Sequence, residues 1–275
     1  MAGFFEQMCK IIAQNEGQQT GIAANSREMA EFFSNISRPQ TPEVKPTPEI
    51  RQVVEPIRMA PAAPAVPEKI SPVVAPPQTS GNFASLEEIA NAVKSCQKCP
   101  LCQFRKNAVP GEGNPNARLM FIGEGPGADE DIQGRPFVGK AGMLLDKMIC
   151  AMQFTREEVY IANIVKCRPP DNRAPAPEEV ECCIGYLKRQ IELIRPEVIV
   201  LLGATAVKYL LNVTSGISRL RGRWLSYENI PVMATFHPAF LLRQESAKRD
   251  TWNDLQQVMA RFGKYHRPGN SGVRP

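Results

Sequence analysis

Glu197–Leu211 reads EVIVLLGATAVKYLL. From Val198 to Leu202 every side chain is β-branched or leucine, Gly203 punctuates the run, and Ala204–Leu211 continues in residues that favour a helix. A short unbroken apolar run closed by glycine marks a strand covered on both faces, the situation of a parallel sheet. A helix directly after it completes a βα unit. The same alternation extends in both directions. Upstream, Ser85 with Glu88 three residues on predicts a capped helix to about Ser95. Ala117–Gly123 reads as a buried strand, followed by a glycine-rich loop and a helix over Ala141–Met152. Val159–Val165 reads as the next strand, and a proline-rich loop leads to a helix over Pro177–Ile194. Downstream, Pro231–Phe236 reads as a strand ending at His237, and a closing helix spans Ala247–Phe262. Strands alternating with helices predict an α/β fold, a three-layer α/β/α sandwich with a central, mainly parallel four-stranded sheet. Ligands of such folds gather at the carboxyl ends of the strands. Three marked loops begin there, after Ile122, Ile164 and Phe236.

The rest of the 275-residue chain is organised around this domain. Of 25 prolines, eleven fall between Pro39 and Pro77, in a stretch without an aromatic residue or a sustained apolar period. Such composition predicts an extended solvated linker. The expected organisation is an N-terminal extension over residues 1–38 with short helices, a disordered proline-rich linker over 39–79, the folded domain over 80–265, and a flexible tail over 266–275. Phe4, Phe5, Met8, Ile11 and Ile12 fall on one face of the first segment, a surface suited to a protein partner. The net charge of +5 is mild, but from Arg243 onward seven Lys or Arg stand against Glu245, Asp250 and Asp254, as expected near phosphates. No segment has the apolar length to cross a bilayer and the N-terminus lacks a secretory signal, so a cytoplasmic protein is expected; the separate expectation for its assembly is a monomer. In that compartment the eight cysteines are read as metal ligands or buried thiols rather than disulfide partners.

Two nucleotide fingerprints nearly fit the glycine loop. Gly123, Gly125 and Ala128 match the loose dinucleotide pattern, and Gly134–Lys140 matches the glycine and lysine positions of a phosphate-binding loop. Ala141 stands where the second motif needs a metal-binding hydroxyl. For the first, Pro126 and the acidic run Asp129, Glu130, Asp131 oppose a pyrophosphate. That acidic run is expected to be a solvated helix start, favoured by the helix dipole.

Cys96 and Cys99 form a CxxC at a helix end, with Cys167 and Cys183 downstream. Four thiolates suffice for a cubane iron–sulfur cluster or for tetrahedral zinc, and spacing does not separate the two. Nor does counting fix the ligands, because Cys99 and Cys102 make a second CxxC and Cys182 adjoins Cys183.

From Cys96 to Arg243 the sequence resembles the thermophile-type, or family 4, uracil-DNA glycosylases. The resemblance is carried, in order, by GEGPGADED (Gly123–Asp131), GRPFVGKAG (Gly134–Gly142), NIVKCRPP (Asn163–Pro170) and FHPAFLLR (Phe236–Arg243). It implies a structural [4Fe–4S] cluster on Cys96, Cys99, Cys167 and Cys183, with Cys102 and Cys182 as extra thiols. A related branch that traps the abasic sugar covalently carries a His-containing basic insertion after the position of Cys167; here only Arg168–Ala176 stands there, without a histidine.

The resemblance also implies uracil-containing DNA as substrate and assigns roles at the three loops. Phe137, on its own an ordinary core residue, becomes the aromatic that stacks on the flipped base. Asn163 becomes the amide that donates to O4 and accepts from N3, a pattern that cytosine does not match. His237 donates to O2 as negative charge builds on the departing base. Gly125 and Gly127 let backbone N–H groups approach the base. Glu124 contacts the base, crowding its C5 edge or orienting water, and no general base is assigned. Leu241 and Leu242 either wedge into the gap left by the flipped nucleotide, with Arg243 on a phosphate, or pack in the core at the start of a helix. The rival expectation is a zinc- or cluster-stabilised nucleic-acid-binding module without catalysis.

Overall fold

A computed structural model describes residues 83–264. The expectations for residues 1–38, 39–79 and 266–275 lie outside the described residues. Six strands form one sheet: β1 (Glu112–Gly113), β2 (Leu119–Gly123), β3 (Tyr160–Asn163), β4 (Val198–Leu202), β5 (Trp224–Tyr227) and β6 (Ile230–Thr235), in the order β1-β3-β2-β4-β6-β5. Pairs β3-β2, β2-β4 and β4-β6 are parallel, so the four-stranded parallel core matches the expectation. The antiparallel edge strands β1 and β5 were not anticipated. Neither edge carries a readable signal: β1 has only two residues, and β5 is largely exposed.

The helices are α1 (Leu86–Lys94), α2 (Ala128–Gln133), α3 (Lys140–Ala151), α4 (Pro177–Ile194), α5 (Ala204–Leu211), α6 (Ile217–Leu220), α7 (Pro238–Leu241) and α8 (Ala247–Arg261). Helix α1 begins as expected: Ser85 Oγ accepts from Glu88 N at 3.2 Å and Glu88 Oε2 accepts from Ala84 N at 2.7 Å. The short helices α6 and α7 were not anticipated, since one turn or so carries no apolar period; α2 stands where the acidic run was expected to start a helix.

Alternation along the strands sends side chains to two cores. Met120, Ile122, Ile199 and Leu201 meet Ile89 and Val93 of α1, Leu187 of α4 and Leu210 of α5 on one face. Leu119, Phe121, Val200 and Leu202 meet Leu145 and Met148 of α3 and Trp252 and Leu255 of α8 on the other. Each fully buried Leu, Ile or Phe of this kind contributes about 1.5–3 kcal/mol. The result is the three-layer sandwich, and none of the described helices is long and apolar enough to cross a membrane. The chain steps from β2 to β3 on one side and back to β4 on the other, so the crevice opens above the carboxyl ends of β2, β3, β4 and β6.

Candidate active site

The loop after β2 is held from below by carboxylates. Ile164 N donates to Gly123 O at 3.0 Å and Val165 N to Glu124 O at 3.1 Å, which carries the β2-β3 pairing into the loop. Glu130 then gathers three backbone donors: Gly127 N at 3.0 Å and Val138 N and Gly139 N at 2.8 Å each. Asp131 accepts from Lys106 N at 2.9 Å. Both side chains are buried. The reading of the acidic run as solvated is therefore corrected for these two residues. Only Asp129 is exposed. Charge-assisted bonds from a buried carboxylate are strong, and here they fasten the glycine loop to the segment that carries Phe137.

Phe137, Asn163 and His237 come together. A Cβ built on Gly123 would lie 2.5 Å from Phe137 Cζ and 2.6 Å from Asn163 Oδ1, so only glycine fits beneath the ring and the amide. The rings of Phe137 and His237 are 5.6 Å apart, inclined at 33°. Asn163 ends β3 and is buried, and its Oδ1 has no hydrogen-bond partner among the described residues. A buried acceptor left unpaired costs about 1–3 kcal/mol, which a ligand N–H relieves. The backbone beneath it is fixed: buried Lys166 donates from Nζ to Asn163 O at 3.0 Å and to Gln190 Oε1 at 2.8 Å. Gln190 Nε2 in turn reaches Pro110 O at 2.9 Å and Tyr160 Oη at 3.1 Å.

His237 caps α7, its Nδ1 accepting from Ala239 N at 3.1 Å. An accepting Nδ1 puts the proton of the neutral ring on Nε2. Burial pulls the imidazole down to about 4, with Arg243 adding to that effect and Glu130 opposing it. The ring is thus a neutral N–H donor at physiological pH.

One cleft of about 440 Å³ is lined by Glu124, Gly125, Gly127, Phe137, Asn163 and His237. Every residue expected to touch the base therefore faces the same space. Arg243 lines it too, as do Phe240, Asn172 and Arg173, which sequence reasoning missed. Phe240 lies three residues after His237, one turn of α7 away, a spacing that could have pointed to it. Thr205 was also missed: from the first turn of α5 its Oγ1 donates to Glu124 Oε2 and holds that carboxylate. Gly127 N–H is engaged by Glu130.

The structure divides the two expectations for the leucine pair. Leu241 is fully buried in the core shared with α3 and α8, whereas Leu242 is 45% exposed. The helical turn of α7 is the cause, because it points neighbouring leucines to different sides. Leu241→Ala should lower stability by about 2–5 kcal/mol, read as a lower melting temperature. Leu242→Ala, at an exposed site, should leave that temperature unchanged.

A second, smaller cavity is walled by thiols. Cys96, Cys99, Cys102, Cys167, Cys182 and Cys183 all line it. All are unpaired as disulfides. Arg105 Nη1 donates to Cys167 Sγ at 2.9 Å and Lys166 N to Cys183 Sγ at 3.2 Å. Arg105 also binds Lys94 O and Cys96 O, each at 2.9 Å. Soft sulfur donors around an enclosed space, with N–H groups aimed at two sulfurs, fit a thiolate-bound group. Among the described residues no three His, Cys, Asp or Glu side chains are grouped as one metal ion needs; the thiols surround a space.

A doubly wound sheet with a cleft at the carboxyl ends of its strands has known relatives. The family model described as the uracil DNA glycosylase superfamily matches residues 110–256, and the chain belongs to that superfamily. The chain is 44% identical over 188 residues to the type-4 uracil-DNA glycosylase of Archaeoglobus fulgidus, covering 66% of this chain and 94% of the relative. It is 47% identical over 178 residues to the type-4 enzyme of Thermotoga maritima, covering 63% and 88%. It is 45% identical over 183 residues to that of Saccharolobus solfataricus, covering 63% and 85%. Its place within the superfamily is the type-4 branch, as the ordered motifs imply.

Proposed function

We propose that this protein removes uracil from DNA, hydrolysing the N-glycosidic bond to release the free base and leave an abasic site. The observation that carries the reading is the unpartnered Asn163 Oδ1, buried in a cleft that it shares with Phe137 and His237. Uracil in a duplex is stacked and paired, so it must be turned out of the helix to reach such a cleft. Phe137 lies against the extruded ring. Asn163 accepts from N3–H and donates to O4, and cytosine presents the opposite pattern at both atoms. As the bond breaks, negative charge spreads onto the uracil, and the neutral Nε2–H of His237 stabilises it at O2. Gly125 remains the glycine donor toward the base, since Gly127 is engaged by Glu130. Glu124, steadied by Thr205, crowds the C5 edge or orients water. Leu242 fills the gap in the stack and Arg243 meets a phosphate.

The thiol cavity suits a [4Fe–4S] cluster on Cys96, Cys99, Cys167 and Cys183. Four thiolates leave no open position, so the group supplies structure rather than chemistry. A non-catalytic binding module accounts for the thiols but not for the buried, unsatisfied amide oxygen.

The test is direct. Purified protein is incubated with a uracil-containing oligonucleotide and then treated with alkali. Strand cleavage at the uracil position is expected, and an uncut strand from protein that carries its cluster refutes the reading.

A further inference from the structure

Phe137 is held in an unusual conformation. Its φ of +51° lies in the left-handed region, which costs a bulky side chain about 1–2 kcal/mol. Such a residue stays there only where its surroundings over-determine it, and this pattern concentrates at functional sites. Here the surroundings are specific. Arg156, from the loop between α3 and β3, reaches the carbonyls on both sides of the Phe137 N–Cα–C unit. Its Nη2 donates to Pro136 O and its Nη1 to Phe137 O at 3.2 Å.

The guanidinium is itself fixed. Asp146 Oδ1 of α3 accepts from Nη1 at 2.6 Å, and Glu112 Oε1 of β1 accepts from Nε at 3.0 Å and Nη2 at 2.9 Å. Arg135 completes the set with a fork onto Glu112, at 2.8 and 3.0 Å. Burial opposes the charge on Glu112, but Arg135 and Arg156 outweigh it and hold the carboxyl below its usual range. On the far side, Glu130 takes Val138 N and Gly139 N, and a Cβ on Gly142 would sit 2.0 Å from the Phe137 carbonyl. The peptide planes flanking Phe137 are therefore held from both sides.

We infer that Arg156 is a positioning residue for base excision: through the two carbonyls it locks Phe137 in the strained backbone state that sets its ring against the extruded uracil. The inference rests on the excision reading above. A lysine in its place lacks the planar fork and reaches at most part of this set. An ion pair that merely stabilised the fold would have no reason to embrace the two carbonyls that flank one strained residue.

A double-mutant cycle on the intact, cluster-bearing protein separates the two roles. Arg156→Gln is expected to lower single-turnover excision roughly 10- to 100-fold, with Arg156→Lys failing to restore it. In a Phe137→Ala background the same change should alter the remaining rate by no more than about twofold, because the ring it positions is gone. Any loss of melting temperature, by contrast, should be similar in both backgrounds. If Arg156→Gln does not fold, Asp146→Asn, at a half-exposed partner, should give a smaller loss that again vanishes with Phe137→Ala. Equal losses in both backgrounds, or none in either, overturn the positioning role while leaving excision intact. An inactive wild-type protein removes the excision reading and this inference together.

Discussion

His237→Ala should lower the excision rate by roughly 100- to 1,000-fold, with cluster colour and melting temperature close to the parent's. The size follows from what the imidazole does. It is a preorganised donor in a cleft partly closed to water, aimed where charge develops only as the bond breaks, so its loss falls on the chemical step more than on binding. Its pH signature follows from its environment. The unperturbed value of 6.5 is pulled down to about 4, chiefly by burial and further by Arg243. Lowering the folded-state value means that the unfolded chain takes up a proton before the folded chain does. Stability drawn from the neutral ring is complete above about 6.5 and is lost as pH falls toward about 4. Through this group, therefore, the rate should be flat from pH 8 to about 5 and decline only as pH approaches about 4. Single-turnover excision measured across that range checks it. An inflection near 6.5 present in the parent and absent in His237→Ala would show a cationic donor and contradict the neutral one.

Cys167→Ala should have the larger effect on the fold. Cys167 stands in the loop after β3, Cys183 on α4, and Cys96 and Cys99 just beyond α1, so a cluster bound to all of them ties separate parts of the domain at one point. If the proposed cluster is held there, loss of one ligand would leave buried thiols and the Arg105 guanidinium without the charge they face. Structural metal sites contribute folding energy directly, and a loss above about 4 kcal/mol is expected. For a domain of this size that amounts to roughly 10 °C or more in melting temperature. The variant should be colourless and poor in iron and sulfide, whereas Cys102→Ala should stay brown. Retained colour and an unchanged melting temperature in Cys167→Ala would remove Cys167 from the ligand set. Zinc without iron in the parent would replace the cluster altogether.

The extent to which the sequence foretold these features differs from element to element. The parallel core was readable because β2 and β4 are buried on both faces and helices follow at regular intervals; the bounds of α4 and α5 were read to the residue. The edges were not, since a two-residue strand has no period. At the site, the residues expected on the base all line one cleft, but their meeting is a product of topology that spacing alone could not show. Leu241 and Leu242 look alike in sequence, and only the turn of α7 separates core from surface. Glu130 and Asp131 read as solvent-facing because charge alone is silent about backbone donors gathered from residues on either side. Arg156 was invisible for the same reason: its partners include carbonyl oxygens of Pro136 and Phe137, which leave no mark on the side-chain pattern.

The most direct test of the central claim is a crystal structure of the protein with free uracil. The base should lie against Phe137 with N3–H on Asn163 Oδ1 and O2 on His237 Nε2, both at hydrogen-bond distances of about 2.7–3.2 Å. Uracil bound elsewhere, or held in this cleft without touching both Asn163 and His237, would contradict the account.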